Sequence, residues 1–191
     1  MSPAPRSLPM VTLPAGSQLW RIHRNDRGVV WFGPAPGSPP RNRFDAPSGE
    51  YRVCYFGDSP EVAFAETSIR GQRIRTVTRA QLEEQSATSI PCLRELRLAR
   101  LHGAGLVRLG IGAEVVHAHP YAECQALALD LWEHSAMVDG IQYRSRWDND
   151  RLCIALFDRA QDVLGVPERG MRLTEPSFLR QVLRLYEVGI E

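Results

Sequence analysis

The fold of this chain is decided by residues 41–70, which read RNRFDAPSGEYRVCYFGDSPEVAFAETSIR. This stretch predicts a loop, a strand over residues 50–56, a tight turn and a helix over residues 60–70. Ser59 is a suitable N-cap, and Pro60 suits the first helical position, where its missing N–H has no intrahelical partner to lose. A strand followed so closely by a capped helix indicates a mixed fold.

Glu66 lies on the apolar side of this predicted helix. At about 100° per residue, Val62, Ala63, Ala65 and Ile69 fall on one arc with Glu66 in its middle. A carboxylate there is costly to desolvate unless a cation, hydrogen bonds or a ligand meets it. The residue is therefore a candidate for function. The structural alternative is an ion pair with an arginine at the rim of the apolar face.

The composition is that of an ordinary globular protein. The chain has 191 residues, 43% of them hydrophobic and 24% charged, which suits a single domain with a sizeable core. A formal net charge of +1 argues against a nucleic-acid binder with a broad basic surface, so we expect no direct nucleic-acid partner. All 23 basic residues are arginine, the side chain best suited to bidentate phosphate recognition.

The cysteines and the N-terminus indicate a cytoplasmic location. Cys54, Cys92, Cys124 and Cys153 are widely spaced, with no zinc-ligand spacing, so we expect reduced, buried thiols. The opening residues are Pro-rich and unlike a signal peptide. No run approaches the 18 or so apolar residues of a membrane span, and we expect no membrane partner.

The other segments predict small sheets flanked by helices, the α+β class. We expect residues 1–17 to form a Pro-rich N-terminal arm, 33–50 a long loop, and 103–116 a loop with an apolar segment. Predicted strands cover residues 18–24, 74–77, 141–144 and 152–157. Residues 93–101 could form a strand or a helix, and their alternation suits a strand. Predicted helices begin near residue 78, cover residues 120–138, and lie within residues 168–191.

Two other segments could suggest a cofactor site, but neither is well supported. Residues 103–116 contain four glycines without the strand-to-helix setting of a dinucleotide fingerprint. His117 and His119 have no Asp, Glu or Cys partners at metal-ligand spacing. We therefore expect no metal.

Five motifs lie in order along residues 19–157. They are Trp20-Arg21-Ile22, Asn42-Arg43-Phe44-Asp45, Cys54-Tyr55, the segment from Ser59 to Glu66, and Asp139-Gly140-Ile141-Gln142-Tyr143-Arg144-Ser145. Together these motifs resemble the RES domain, a family named for an arginine, a glutamate and a serine. Asn42 departs from the usual glycine, and Cys54 from the usual leucine. Asn tolerates left-handed backbone angles nearly as well as glycine.

The resemblance implies an architecture like that of ADP-ribosyltransferases, with NAD as the substrate. Many members of the family are toxins of bacterial toxin–antitoxin modules, and the partner antitoxin typically has a helix-turn-helix domain. On this basis residues 18–165 are expected to form an NAD-binding catalytic domain, and residues 166–191 a C-terminal helical extension of it.

The resemblance also implies roles for five residues, which suit cleavage of the nicotinamide–ribose bond through an oxocarbenium-like transition state. Arg21 and Arg43 would bind the diphosphate, Tyr55 the nicotinamide or ribose, and Glu66 the developing positive charge. Ser145 would orient Glu66 or contact the substrate.

Each of these five residues also has a structural alternative. Arg21 could form an ion pair, and Tyr55 could be an ordinary core residue. Arg43 could be a solvated loop charge, and Ser145 could cap backbone amides in a turn.

Three functions remain open from the sequence. The chain could consume NAD with water or phosphate as the acceptor. It could instead transfer ADP-ribose to a protein, or bind a nucleotide or a partner without turnover.

Overall fold

The computed structural model of the chain describes residues 7–69, 76–117 and 119–191. Its strands are Met10–Leu13 (β1), Gln18–Arg24 (β2), Val53–Gly57 (β3), Thr76–Val77 (β4), Gln85–Pro91 (β5), Leu96–Leu101 (β6), Gly140–Arg144 (β7), Leu152–Phe157 (β8), Met171–Arg172 (β9) and Gly189–Ile190 (β10). Its α-helices are Pro60–Ser68 (α1), Arg79–Glu83 (α2), Ala104–Leu109 (α3), Ala113–His117 (α4), Ala122–Glu133 (α5) and Pro176–Tyr186 (α6). A 3₁₀ helix covers Asp158–Val163.

Most of these strands form one sheet, in the order β1-β6-β7-β8-β3-β2-β5-β9. Neighbouring strands are antiparallel except for β6 and β7, which are parallel. Strands β10 and β4 pair separately and in parallel. The predicted α+β class is confirmed. The main sheet has eight strands in the described residues, whereas small sheets were expected, because β1, β5 and β9 were not predicted. Strand β1 lies in the expected N-terminal arm and pairs with β6.

Strand β5 lacks the apolar alternation that predicts a strand. Its sequence is QSATSIP, yet the five residues from Ser86 to Ile90 are buried between β2 and β9. Distant partners satisfy the buried hydroxyls. Ser86 Oγ donates to Asn25 Oδ1 at 2.7 Å, and Ser89 Oγ donates to Glu168 Oε2 at 2.7 Å. A polar segment can therefore occupy an inner strand because the tertiary structure supplies its hydrogen bonds.

The segment 103–116 forms helices α3 and α4, so the prediction of a loop was wrong. The glycines of this segment predict a loop, but Gly105 is buried within α3. A Cβ atom at this position would lie 2.1 Å from the carbonyl oxygen of Arg100 on β6. Gly105 therefore allows α3 to pack closely on the sheet.

Helix α1 begins as predicted and is enclosed by apolar neighbours. Ser59 is its N-cap, with Oγ accepting a hydrogen bond from the Val62 amide at 3.4 Å, and Pro60 is in its first turn. Four consecutive residues, from Val62 to Ala65, are buried, so the helix has no simple apolar stripe. Phe64, which the periodicity places off the arc, contacts Phe178 of α6 edge to face, with ring centroids 6.2 Å apart.

Most of the other predicted elements are present, with shifted boundaries. Strand β2 matches its prediction, whereas β3 and β6 each begin three residues later than predicted. The helix predicted over residues 120–138 is the shorter α5, and the C-terminal helix is α6. The predicted end of α1 at Arg70 and the predicted strand start at Ile74 lie outside the described residues. Every helix in the described residues is too short or too polar to span a bilayer.

The main sheet is covered on both faces. Along β8, Cys153, Ala155 and Phe157 join a core with α5, whereas Ile154 and Leu156 join a second core on the opposite face. This alternation is the period of two expected for a strand buried on both sides. A third core, under α1 and α6, includes Phe64, Phe178 and Val182.

The strand order brings two distant segments together. Because β3 and β8 are antiparallel, the turn after Gly57 lies beside the start of β8. The Asp58 amide donates to the Leu152 carbonyl at 3.0 Å, and the Leu152 amide donates to Asp58 Oδ2 at 3.0 Å. Helix α1 therefore starts next to the loop between β7 and β8, which contains Ser145.

Candidate active site

A cleft of about 670 Å³ lies where β2, β3 and α1 meet the loops around residues 41–43, 119–121 and 146–147. Four of the five residues predicted for the site line this cleft: Arg21, Arg43, Tyr55 and Glu66. Other aromatic and basic side chains in the wall are Trp20, Trp31, Arg41, Phe56, His119, Tyr121, Tyr143, Arg146 and Trp147. Among the described residues the wall has four arginines and one carboxylate, a balance that suits an anionic ligand.

Ser145 holds the carboxylate of Glu66. Its Oγ donates to Glu66 Oε1 at 2.6 Å, a short distance typical of a charge-assisted hydrogen bond. The same Oγ accepts from the Trp147 amide at 3.1 Å and the Asp148 amide at 3.0 Å. Ser145 is 1% exposed and lies outside the cleft wall that the described residues form. The hydroxyl therefore caps the turn and also orients Glu66.

The residue after Ser145 contributes a second donor that sequence reasoning missed. The Arg146 amide donates to the same Oε1 of Glu66 at 2.8 Å. The guanidinium carbon of Arg146 lies 5.5 Å from the centroid of the Trp147 ring, and both side chains line the cleft. The adjacent Arg146 and Trp147 were the available sequence signal for these two side chains, whereas residue types give no signal for a backbone donor.

Arg43 is a buried cation with unpaired donors. The residue is 8% exposed, and its Nε and Nη1 atoms are buried without hydrogen-bond partners in the described residues. Its guanidinium carbon lies 5.2 Å from the Tyr143 ring centroid and 5.9 Å from that of Phe44. Buried polar groups are nearly always hydrogen-bonded, so these donors suit an anionic ligand in the cleft.

Arg21 is anchored by one nitrogen. Its Nη1 donates to the Val29 carbonyl at 2.8 Å and lies 3.4 Å from that of Trp31. It also lies 3.1 Å from Cys54 Sγ, so Cys54 supplies an acceptor that the family's usual leucine would lack. Burial raises the pKa of the Cys54 thiol, which favours its neutral form. Within the described residues Arg21 has no acidic partner, which disfavours a purely structural ion pair.

Tyr55 uses its hydroxyl to shape the loop that carries Arg43. It donates to Asp45 Oδ1 at 2.9 Å and accepts from the Phe44 amide at 3.0 Å. Burial, with the Asp45 charge next in size, raises the pKa of the phenol well above its usual value. The ring of Tyr55 lines the cleft, while its polar tip is bonded to the protein.

Asp45 is the centre of this loop, a role that the sequence did not reveal. The residue is fully buried, and its Oδ2 accepts from the amides of Arg41 at 2.9 Å and Asn42 at 2.8 Å. Asn42 is not among the described residues with positive φ, so its substitution for glycine does not produce a left-handed turn. Its side-chain amide instead donates to Asp45 Oδ2 at 3.2 Å.

The two histidines lie near the cleft without a metal-ligand set. His119 lines the wall, and its ring contacts that of Tyr121 edge to face. Burial lowers the pKa of His117, and the charges of Arg43 and Arg146 lower it further. No group of three or more His, Cys, Asp or Glu side chains in the described ranges is arranged to hold a metal ion.

Comparison with known proteins finds a similar fold and identifies the family. The toxin–antitoxin complex MbcT–MbcA of M. tuberculosis contains a similar chain, with a TM-score of 0.63 and 15% sequence identity. The alignment covers 93% of this chain and 92% of the other. No curated protein matches the chain. The model of the RES domain family matches residues 18–178, a longer span than the motifs indicated. The chain belongs to the RES domain family.

Proposed function

We propose that this RES domain protein is a toxin that cleaves the nicotinamide–ribose bond of NAD. The observation that carries the proposal is the Glu66 carboxylate in the wall of an arginine-rich cleft, held by the Ser145 hydroxyl and the Arg146 amide. Bond cleavage develops positive charge on the ribose, and a fixed carboxylate nearby stabilises that charge. The two donors share one oxygen, Oε1, and thereby fix the orientation of the carboxylate.

The cations of the cleft support a diphosphate ligand. Arg43 offers the buried Nε and Nη1 donors, and Arg21 is anchored through Nη1 beside the same cleft. Forked guanidinium donors match phosphate oxygens. The aromatic rings of Tyr55 and Tyr143 offer faces against which a nicotinamide or ribose can pack. In this proposal Ser145 positions Glu66 and does not contact the substrate.

The structural similarity to a toxin crystallised with its antitoxin supports a protein antitoxin as the partner. A helix-turn-helix domain in that partner, an ADP-ribosyltransferase-like architecture and a cytoplasmic location stay predictions from the family resemblance and the composition. The division into an arm, a catalytic domain over residues 18–165 and a helical extension also stays a prediction.

The deciding experiment follows NAD consumption by the purified protein, with and without inorganic phosphate, and identifies the products by mass. Nicotinamide with ADP-ribose would mean hydrolysis, and ADP-ribose 1″-phosphate would mean phosphorolysis. Labelling of a protein in cell extract, without NAD loss by the protein alone, would favour ADP-ribosyl transfer. No turnover under any of these conditions would favour a binding module and contradict the proposal.

Glu66→Gln tests the central residue, because it keeps the shape and removes the charge. We expect kcat to fall by about 10²–10³-fold, the scale of losing one preorganised electrostatic group, with an unchanged unfolding midpoint. The matched control is Glu83→Gln, an exposed glutamate on α2 outside the cleft, which should keep full activity. A folded Glu66→Gln protein with wild-type kcat would rule out the role of this carboxylate.

A further inference from the structure

We propose that Tyr186, on the C-terminal helix α6, is a positioning residue for the Glu66–Ser145 pair. Tyr186 lies beyond residue 178, where the family match ends. The inference rests on the proposed function for its effect on turnover, but the physical connection on which it depends is measurable without any substrate.

A continuous series of hydrogen bonds joins α6 to Glu66. The Tyr186 hydroxyl donates to Asp148 Oδ2 at 2.8 Å. The Asp148 amide donates to Ser145 Oγ at 3.0 Å, and Ser145 Oγ donates to Glu66 Oε1 at 2.6 Å. Burial, followed by the bond to Asp148, raises the pKa of Tyr186, so the phenol keeps the proton that it donates.

The loop between β7 and β8 depends on this connection. Its tip, Asn149 and Asp150, is exposed, and the backbone bond from the Ser145 amide to the Arg151 carbonyl closes its base. The Asp148 carboxylate is held on one side by the Asp150 amide, within the loop, and on the other by Tyr186. Tyr186 therefore ties the loop to a helix outside it.

Helix α6 is also fixed to the helix that carries Glu66. Gln181 Nε2 donates to Glu61 Oε1 at 2.7 Å, and Phe178 packs against Phe64. Both Glu61 and Phe64 belong to α1. Helix α6 thus contacts both the helix that carries Glu66 and the loop that supplies its two donors. A displacement of that loop would separate Ser145 and Arg146 from the carboxylate.

Tyr186→Phe removes only the hydroxyl and is the test variant. We expect kcat for NAD cleavage to fall about tenfold, the scale of a hydrogen bond to a charged group, with KM within about twofold. The KM should hold because Arg21 and Arg43, which bind the diphosphate in the proposed function, lie outside this loop. The matched control is Thr76→Val, which removes a hydroxyl that also donates to a carboxylate, Glu191 Oε1, at 2.8 Å. The Thr76→Val control should lose as much thermal stability as Tyr186→Phe but keep the wild-type kcat.

Two further measurements identify the route of the effect. In a Ser145→Ala background, Tyr186→Phe should lower kcat by a smaller factor than in the wild type, because the link through Ser145 is already cut while the Arg146 amide still holds Glu66. In NMR spectra without substrate, Tyr186→Phe should shift the amide proton signals of Arg146 and Asp148, whereas Thr76→Val should leave them unchanged.

The possible outcomes separate this inference from the proposed function. Unshifted amide signals in Tyr186→Phe would overturn the inference, whether or not the protein cleaves NAD. An equal loss of kcat from Tyr186→Phe in the wild-type and Ser145→Ala backgrounds would overturn the route through Ser145. If the wild-type protein does not consume NAD, the proposed function fails, and shifted amide signals still establish the connection from α6 to the Glu66 site.

Discussion

Arg43 lowers the stability of the ligand-free protein, as a residue kept for ligand binding is expected to do. Burying a donor without a partner costs about 1–3 kcal/mol, and Arg43 has two such donors, Nε and Nη1. The contacts of its guanidinium with the Tyr143 and Phe44 rings stabilise it by about 2 kcal/mol each at a buried site, whereas desolvating the charge itself costs several kcal/mol more. The desolvation cost of Arg43 therefore exceeds the stabilisation that the two ring contacts provide. Such an arrangement is expected where a ligand, rather than the protein, completes the hydrogen bonds.

Arg43→Met should therefore stabilise the ligand-free protein while removing ligand binding. Met has a similar length and no polar group, so we expect the free energy of unfolding in urea to rise by about 1–2 kcal/mol. Binding of ADP-ribose, measured by calorimetry, should be lost. The control Arg27→Met changes an exposed arginine outside the cleft and should shift stability by less than about 0.5 kcal/mol. A destabilised Arg43→Met protein would contradict this account.

At the scale of elements, the loop at residues 41–45 is held by a buried carboxylate rather than by regular secondary structure. Asp45 accepts hydrogen bonds from two backbone amides and from the Tyr55 hydroxyl, which belongs to β3. Gln125 of α5 also donates to the Asn42 carbonyl at 3.0 Å. The loop that presents Arg43 is thereby fixed to the sheet on one side and to a helix on the other.

Asp45→Ala should loosen this loop. Removing the carboxylate leaves the Arg41 and Asn42 amides and the Tyr55 hydroxyl without their acceptor, and we expect a loss of about 3 kcal/mol in unfolding free energy. NAD turnover should fall as well, because Arg43 loses its fixed position. Tyr55→Phe removes one of these bonds and should cost about 1 kcal/mol. Equal stability of Asp45→Ala and wild type in urea unfolding would refute the role given to Asp45.

At the scale of the whole molecule, the sheet separates the cleft from a buried polar pair. His102 Nε2 lies 3.0 Å from Gln142 Oε1, and both residues are buried. Burial lowers the pKa of His102 from its usual 6.5, and the charges of Arg100 and Arg144 lower it further. The hydrogen bond to Gln142 raises it in part. The folded protein therefore favours the neutral imidazole.

This lowered pKa predicts a loss of stability in mild acid. Below the unfolded pKa of 6.5 the unfolded chain binds a proton that the folded chain still excludes, so stability falls until the pH passes the folded pKa. We expect the unfolding free energy to fall as the pH is lowered through 6.5, the unfolded pKa. His102→Gln keeps a hydrogen-bond donor for Gln142 and should make the unfolding free energy less dependent on pH. An identical pH dependence in both proteins, measured by urea unfolding, would exclude His102 as the cause.

Prediction from the sequence succeeded where the signal was local. The Ser59-Pro60 start of α1, the strand Gln18–Arg24 and the C-terminal helix α6 depend on neighbouring residues and could be predicted. Strand β5 could not, because its buried hydroxyls are satisfied by residues about 60–80 positions away. Helix α3 was missed because Gly105 meets a packing requirement that is visible only against β6.

Local patterns and residue types were enough to predict the α+β class, the family and the candidate residues Arg21, Arg43, Tyr55, Glu66 and Ser145. How these residues come together depends on the tertiary fold. Glu66 and Ser145 are 79 positions apart in the sequence. Glu66 Oε1 and Ser145 Oγ lie 2.6 Å apart because β3 pairs with β8, and β8 with β7. Local preferences act over a few residues, whereas strand pairing decides which distant segments share a site.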